Sequence, residues 1–503
     1  MITYKRGFIL VSIYALLSHI YFVVRFSGRW IEEDTGRMVK FAEYVQAQAT
    51  MLPSAPVYPN GPGLSILLTG LSDLSGIPIP LLELFFLPVV GVLPVLISYL
   101  AFYEITKSVK LAVLSAFLLS LQPDFLLTSS RGTHEKFTYA LLLMSFFFLT
   151  RSFSRMRNTK EFTSNVLLFY IAIVGMISYN FFFSATYVFA SVVALIIGYL
   201  VSQFPQAVTS FKRLIYTSST STVFFFSYMF YLYTPSRHLL QVFDTLADKV
   251  GAIALATEQH VTPQYQYIFQ WWVSFEMWLF LTLFNWVVAL LSFSAWLYLV
   301  YRFFWKKQPL SSSMQLLLMF YTAFSLQLLI TIFADRFGVF DNLELRVFPV
   351  LMFFAVPLAA ISMLNIVKSK RLNKGMRKKI KVFFAVLLLV FVVNSLLKAT
   401  NDPLVSNKWW FYSVQEKEGL LWVDESLRNY SVWADIDARL TSVYNTFSPV
   451  DDEGKVKFTS PRAEYWFVTT LEKKRALSVR YPLPFLDDKP VVYDNGDVKI
   501  YRN

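Results

Sequence analysis

Three consecutive acidic residues, Glu32, Glu33 and Asp34, follow shortly after the first long apolar run of the chain. A carboxylate at a membrane surface can act as a general base toward a hydroxyl group, or it can bind a metal ion. A structural explanation is also open, because acids are favoured at the positive end of a helix and Asp34 or Thr35 could cap its first turn. Asp34 and Glu33 are therefore candidate catalytic residues.

A second polar cluster occupies residues 122–136, between two apolar runs. It contains Arg131, His134 and Glu135 within about one helical turn of each other. Charged groups near the edge of a bilayer are costly unless they are solvated or used. We take Glu135 as a candidate catalytic carboxylate, and Arg131 and His134 as candidate substrate-binding residues. The alternative is a solvated loop in which Glu135 begins the next helix.

Two arginines, Arg336 and Arg346, flank the predicted mouth of a late apolar segment. A guanidinium group suits a phosphate, since it combines charge with two parallel hydrogen bonds. Both are candidate phosphate-binding residues, although the neighbouring acids Asp335, Asp341 or Glu344 could instead pair with them. His260 lies in a long polar segment and is a further substrate-binding candidate, although a lone histidine is more often structural or exposed.

The elements that must position these residues are membrane helices. The chain has 503 residues, of which 55% are hydrophobic and only 16% charged, too few polar residues to cover a soluble domain. Apolar runs of about 18 residues or more can each cross the hydrocarbon core as a helix. The pattern predicts a membrane all-α fold, a polytopic bundle of about eleven transmembrane helices. The predicted spans are 7–26, 81–103, 109–127, 137–150, 163–180, 182–203, 214–233, 271–300, 314–333, 347–366 and 381–397.

The distribution of charge orients this bundle. With the N-terminus inside, the basic clusters at 151–160 and 368–381 fall in cytoplasmic loops, and the acidic loops fall outside. This is the pattern of the positive-inside rule. The net charge of +13 is thereby explained by topology, and no nucleic-acid partner is expected. The candidate residues and the C-terminal segment are predicted on the extracytoplasmic face.

The predicted spans and their connections form a transmembrane module at 1–397, whose first external loop is 27–80 and whose long external loop is 233–270. The first loop predicts a juxtamembrane helix at 35–49 and a short apolar helix at 64–76, too short to span. The apolar face of the former comprises Met38, Phe41, Ala42 and Val45.

The remaining segment, 398–503, predicts a small extracytoplasmic α/β domain. It combines a helix-like stretch at 416–427, a strand-like stretch at 430–436 and a hairpin that turns at Asp494-Asn495-Gly496. About 105 residues suffice for such a domain.

Several familiar chemistries are excluded by motifs that the sequence lacks. There is no P-loop, dinucleotide fingerprint, HExxH or GxSxG sequence, which argues against an ATP-driven machine and against common hydrolases. There is no cysteine, so disulfides and thiolate metal sites are ruled out. The carboxylates allow a divalent metal, although no ligand set is defined.

The order of these elements resembles the GT-C superfamily of polyprenyl-phosphate-sugar-dependent glycosyltransferases. The likeness rests on one span, the acids Glu33-Asp34, a juxtamembrane helix, the break Tyr58-Pro59-Asn60-Gly61-Pro62-Gly63, and the short helix at 64–76. The superfamily includes protein O-mannosyltransferase-like enzymes, the aminoarabinose transferase and oligosaccharyltransferase catalytic subunits. The C-terminal segment is similar to archaeal members.

The resemblance implies roles for the candidate residues. Asp34, with Glu33 second, matches the catalytic acid of the first external loop, and Glu135 or Asp124 matches an acid of the second. Arg346 matches an arginine that meets the lipid phosphate. The implied partners are a polyprenyl (dolichyl-type) phosphate sugar, a glycan, lipid or protein acceptor, and the lipid bilayer, in the plasma membrane of an archaeon or bacterium.

The sequence departs from the oligosaccharyltransferase pattern in one respect. Those catalytic subunits carry Trp-Trp-Asp-Tyr-Gly, whereas this chain has Trp409-Trp410-Phe411-Tyr412-Ser413. The resemblance is therefore to the superfamily, and not to a typical oligosaccharyltransferase catalytic subunit. Two alternatives to an enzyme stay open: a multi-pass lipid or glycan transporter or flippase, and a non-catalytic membrane scaffold.

Overall fold

The structure is a computed structural model of the chain. It describes residues 3–26, 33–48, 61–154, 159–205, 207, 211–231, 244, 247, 275–336, 344–369, 373–400, 413–427, 430–433, 463–470 and 488–503. The predicted long external loop at 233–270, with His260, lies almost wholly outside the described residues, and so does the Trp-Trp sequence at 409–410.

Helices account for most of the described chain. They are α1 (Tyr4–Phe26), α2 (Glu33–Gln48), α3 (Gly63–Ser75), α4 (Ile79–Thr106), α5 (Val109–Ser120), α6 (Pro123–Ser130), α7 (Glu135–Ser154), α8 (Thr159–Tyr179), α9 (Phe181–Ser202), α10 (Phe211–Tyr231), α11 (Phe275–Phe304), α12 (Ser312–Arg336), α13 (Glu344–Lys368), α14 (Lys374–Ala399) and α15 (Val414–Ser426).

Nine helices of the described residues are long and apolar enough to cross a membrane, and ten if α5 and α6, which meet at a 72° bend, form one broken span. The chain is therefore a multi-pass integral membrane protein. Each of the eleven predicted spans contains a helix in the structure. The mean hydropathy of α10 is too low for it to count among the nine, because a run of Ser and Thr occupies its middle. These hydroxyls bond within the protein: Ser218 donates to the Ser191 carbonyl of α9 at 3.2 Å.

The two predicted helices of the first external loop are both present. In α2, the predicted apolar face is buried, and Met38, Val39 and Ala42 pack against Leu64 and Leu68 of α3. The 13 residues of α3 extend about 20 Å, less than the roughly 30 Å hydrocarbon core, so α3 cannot span.

Helix α4 begins irregularly. Its residues Leu82–Phe86 form a single π-helical turn, an arrangement that is rare and is frequent at functional sites. Glu83, within this turn, is buried at 1% exposure.

The C-terminal segment forms a small sheet covered by α15. The strands β1 (Val432–Trp433), β2 (Tyr465–Thr469), β3 (Val491–Asp494) and β4 (Val498–Arg502) are arranged in the order β1-β2-β4-β3. Strand β1 is parallel to β2, and the other pairs are antiparallel. The predicted hairpin turn is confirmed, with Gly496 at φ 92°. A capping box between Ser413 and Glu416 begins α15.

Candidate active site

The second outer loop, defined here as residues 122–136, folds as a short helix followed by a turn. Gln122 caps α6 by accepting a hydrogen bond from the Phe125 amide. Asp124 lies in the first turn of α6, where it pairs with Lys398 at the end of α14 at 3.2 Å. Asp124, which the resemblance offered as an alternative acid, is thus engaged in joining α6 to α14.

Arg131 and Glu135, predicted separately as a substrate-binding residue and a catalytic acid, form one ion pair. Arg131 Nη2 lies 2.9 Å from Glu135 Oε1, and the two side chains are 16% and 9% exposed. Arg131 Nε also donates to Thr133 Oγ1 at 3.2 Å. Because breaking such a pair leaves an uncompensated charge in a poorly solvated place, each residue fixes the position of the other.

His134 is held by a residue that the sequence patterns did not identify. Its Nε2 atom is hydrogen-bonded to Asn180 Nδ2, and both side chains are buried. The Asn180 oxygen caps α9 by accepting from the Phe183 amide at 3.1 Å, which leaves the NH₂ group to face His134. The amide therefore donates and His134 Nε2 accepts.

A second pair of buried charged residues, Glu83 and Lys136, lies between the second outer loop and α4. Both side chains are 1% exposed. Lys136 Nζ donates to the Leu87 carbonyl at 2.8 Å and to the Arg131 carbonyl. The Glu83 carboxylate lies against Gly132, where an added Cβ would come within 1.3 Å of Glu83 Oε1. The π-helical start of α4 and the second outer loop are thus held together by charge and by close approach.

The close contact between Gly132 and the Glu83 carboxylate predicts the effect of a substitution. Gly132→Ala should destabilise the protein by about 1–3 kcal/mol, because the new methyl group must displace a buried carboxylate. Glu83→Ala removes that obstacle, so the double variant should lose less stability than the sum of the two single variants. Thermal unfolding of the purified variants in detergent measures the three losses. Strict additivity would show that the two positions are not in contact.

A third connection places the end of α1 beside the loop. His19 Nδ1 donates a hydrogen bond to the Ala15 carbonyl at 2.7 Å. Its Nε2 lies 3.0 Å from Ser129 Oγ, within hydrogen-bonding distance. Gly91, in α4, permits this contact, since a Cβ there would lie 2.0 Å from the Ser129 carbonyl and 2.6 Å from the His19 ring. His19 of α1 thus contacts α6 through Ser129.

The glycines of the Pro-Gly break have a comparable purpose. Gly61 adopts φ +136°, and a Cβ there would lie 2.4 Å from the Ser178 carbonyl at the end of α8. A Cβ added at Gly63 would lie 3.0 Å from the same carbonyl. The first external loop therefore docks directly before Asn180, the residue that holds His134.

The acids of the first external loop enter the same region through α2. Glu33 and Asp34 form the beginning of α2, and their side chains lie outside the described residues. One turn further on, Met38 packs in a cluster with Leu82, the neighbour of Glu83, and with Leu87, whose carbonyl binds Lys136. The backbone at Asp34 is thus about one turn away from the elements that carry the second outer loop.

Arg346 reaches this end of the bundle from α13. Its guanidinium carbon stands 4.9 Å from the centre of the Phe182 ring, in the first turn of α9, a favourable cation–π contact. Seven residues later, on the same face of α13, Phe353 packs edge-on against Tyr139 at 5.1 Å, and Tyr139 is one turn after Glu135. The structure therefore brings Arg346 to the same end and the same side as the second outer loop.

Two further substrate-binding candidates, Arg336 and His260, cannot be placed in the site. The Arg336 side chain and the whole of His260 lie outside the described residues. Within the described ranges, no group of three or more His, Asp or Glu side chains is arranged to hold a metal ion.

Three residues of the site, Glu83, Lys136 and Asn180, were not identified from the sequence. Glu83 did carry a signal, since it is an acid within an apolar run that predicts a span, and such acids are costly unless they are paired. Asn180 lies where two predicted helices meet, which is the usual place for a cap.

Comparison with solved structures identifies the fold. ArnT from Cupriavidus metallidurans in the apo state is 12% identical, with a TM-score of 0.54, and the match covers 99% of this chain and 98% of that one. ArnT bound to undecaprenyl phosphate gives 11% identity, a TM-score of 0.52, and 98% and 97% coverage. No family model and no curated protein sequence matches the chain.

The archaeal oligosaccharyltransferase AglB from Archaeoglobus fulgidus, in complex with an inhibitory peptide and a dolichol-phosphate, also matches. Its identity is 15% and its TM-score is 0.50, and the match covers 91% of this chain but only 61% of AglB. At these identities the matches show the fold. The chain has the fold shared by ArnT and AglB, and the fold that the GT-C resemblance implied is confirmed.

Proposed function

We propose that this protein is a membrane glycosyltransferase that moves a sugar from a polyprenyl-phosphate-linked donor to a hydroxyl-bearing acceptor on the extracytoplasmic face. The observation that carries the proposal is the convergence of three sets of residues at one end of a bundle with the GT-C fold. These sets are the start of α2 with Asp34, the second outer loop with Arg131 and Glu135, and Arg346 on α13.

The donor would approach laterally from the membrane, with its phosphate near Arg346. A guanidinium group balances the phosphate charge and offers two parallel hydrogen bonds. Arg336 is the second candidate for this contact. The phosphate leaves with an additional negative charge, so a cation positioned there stabilises the transition state more than the bound donor.

Asp34 would accept the proton of the acceptor hydroxyl as the acceptor oxygen attacks the anomeric carbon. The new glycosidic C–O bond forms while the C–O bond to the phosphate breaks, and polyprenyl phosphate departs. Glu33 is the alternative base. Glu135, paired with Arg131, and His134, bonded to Asn180, would shape the cavity and position the acceptor. His260 is proposed to bind the acceptor. A divalent metal ion is proposed to bind at the acids that begin α2.

The role of Arg346 predicts a selective kinetic defect. Arg346→Ala should lower kcat/KM for the lipid-linked donor about 10- to 100-fold, because a hydrogen bond to a charged group contributes about 1.5–3 kcal/mol. Arg346→Lys should recover part of the loss, since lysine keeps the charge without the planar fork. Lys368→Ala, at the opposite end of α13, is the matched control. A donor kcat/KM unaffected by Arg346→Ala would remove Arg346 from the phosphate site.

The activity itself can be tested in proteoliposomes that contain the purified full chain and a radiolabelled polyprenyl-phosphate sugar. The proposal expects label to move to an added acceptor with release of polyprenyl phosphate. Movement of the lipid-linked sugar between leaflets without any transfer would identify a flippase instead. A protein with neither activity across a panel of glycan, lipid and peptide acceptors would fit a scaffold.

A further inference from the structure

An apolar cleft lies at the other end of the bundle, far from the candidate active site along the helices that line it. It is formed by α9, α11 and α12 and has a volume of about 160 Å³. Its lining includes Ile197, Val201, Val300, Phe304, Leu318 and Met319. The basic connection 305–311, between α11 and α12, closes its lower end through Leu310.

Helices α11 and α12 are joined by side-chain hydrogen bonds at the end of the cleft farther from the connection 305–311. Two hydrogen bonds join them, Ser292 to Tyr321 at 3.1 Å and Trp296 Nε1 to Thr322 Oγ1 at 2.9 Å. Below Trp296, each helix packs on other elements, and the Phe204 ring at the end of α9 lies 4.8 Å from Phe304 of α11. The space between the helices is left unfilled.

The side chains that line the cleft are mostly apolar and favour a hydrocarbon ligand. The two polar side chains of the lining are already used within the protein, since Thr322 accepts from Trp296 and Gln315 donates to the Leu310 carbonyl at 2.9 Å. An apolar cavity of about 150 Å³ stays dry and binds a benzene-sized molecule. A cleft of this size and lining at membrane depth therefore favours a segment of a lipid chain over water.

The connection below the cleft supplies charge. Arg302 Nε donates to Gln308 Oε1 at 2.7 Å, which fixes the fold of the connection. Lys306 and Lys307 are both exposed on it, beside the exposed Trp305. Trp and Lys together are typical of the headgroup level of a bilayer, and the adjacent leaflet at a basic protein end is expected to be anionic.

We propose that the cleft binds one acyl chain of an anionic phospholipid of that leaflet, with the headgroup phosphate at Lys306 and Lys307. The lining residues of α11 from Trp296 to Phe304 cover about 12 Å of helix, within the roughly 15 Å depth of one leaflet. The site is independent of the sugar-transfer activity.

The test is native mass spectrometry of the full chain released from vesicles of phosphatidylcholine and phosphatidylglycerol. Wild type should retain one phosphatidylglycerol in preference to phosphatidylcholine. Val300→Phe, which fills the cleft, should lose that lipid, whereas Val382→Phe on the exposed face of α14 should keep it. The double variant Lys306→Gln/Lys307→Gln should reduce the preference about 30-fold, because each lysine near an anionic surface contributes about 1 kcal/mol.

Lys378→Gln/Lys379→Gln is the charge-matched control, since both lysines are exposed at the start of α14, and it should retain the preference. Size-exclusion profiles confirm that each variant is folded before its lipids are counted. Equal retention by wild type and Val300→Phe overturns the site. Equal retention of the two phospholipids by wild type, or displacement of the phosphatidylglycerol by polyprenyl phosphate, overturns the assigned ligand.

Discussion

Asp34→Asn should reduce kcat for sugar transfer by about 10²-fold or more, because a positioned general base contributes about 10²–10⁴-fold. The substitution preserves the size of the side chain, so the protein should still fold. Turnover is measured as transfer of labelled sugar from a polyprenyl-phosphate donor, and folding by size-exclusion profile and thermal unfolding.

The matched control is Glu43→Gln on the same helix. The Glu43 side chain is 38% exposed and pairs with Lys40 at 3.7 Å, away from the packed face of α2, so turnover should be unchanged. Glu33→Gln separates the two neighbouring acids: a modest loss assigns the base to Asp34, whereas a loss as large as that of Asp34→Asn gives both acids a part. Normal turnover by Asp34→Asn would contradict the assigned base.

The second large effect is expected at Gly91. Gly91→Ala should destabilise the protein by more than about 3 kcal/mol, or prevent its accumulation, because the methyl group would lie 2.0 Å from the Ser129 carbonyl. A backbone carbonyl can move only with the whole of α6, which forms the first part of the second outer loop. Expression level and thermal unfolding measure the effect.

Two further variants make the Gly91 prediction specific. Gly70→Ala, where an added Cβ meets nothing within 4 Å, should leave stability unchanged or slightly raised, since alanine is the better helix former. His19→Ala/Gly91→Ala should remain as unstable as Gly91→Ala, because the Ser129 carbonyl is still in the way. A stable Gly91→Ala protein would show that α1, α4 and α6 are further apart than described.

The parts of the fold that could be predicted are those governed by local pattern. The spacing of Met38, Phe41, Ala42 and Val45 predicted α2 and its buried face, and all four side chains are buried. The short apolar run gave α3, and the Asp494-Asn495-Gly496 sequence gave the terminal hairpin. In each case the information lies within one or two turns of chain.

The parts of the site that could not be predicted depend on contacts between distant residues. Glu83 touches Gly132, and His19 meets Ser129, and neither contact leaves a local pattern at either position. Arg131 and Glu135 are close in sequence, but residues 131–134 form the turn between α6 and α7, so helical spacing did not predict their pairing. Sequence therefore predicted which residues were chemically capable, and the fold determined their partners.

The central claim is that this membrane protein consumes a lipid-linked sugar. The most direct test is mass spectrometry of glycans and lipid-linked sugars from a strain that lacks the protein, beside the same strain carrying either wild type or Asp34→Asn. If the protein transfers this sugar, a polyprenyl-phosphate sugar should accumulate and one glycan should lack a sugar in the deletion strain, and only wild type should restore both. Unchanged lipid-linked sugars and unchanged glycans in the deletion strain would contradict it.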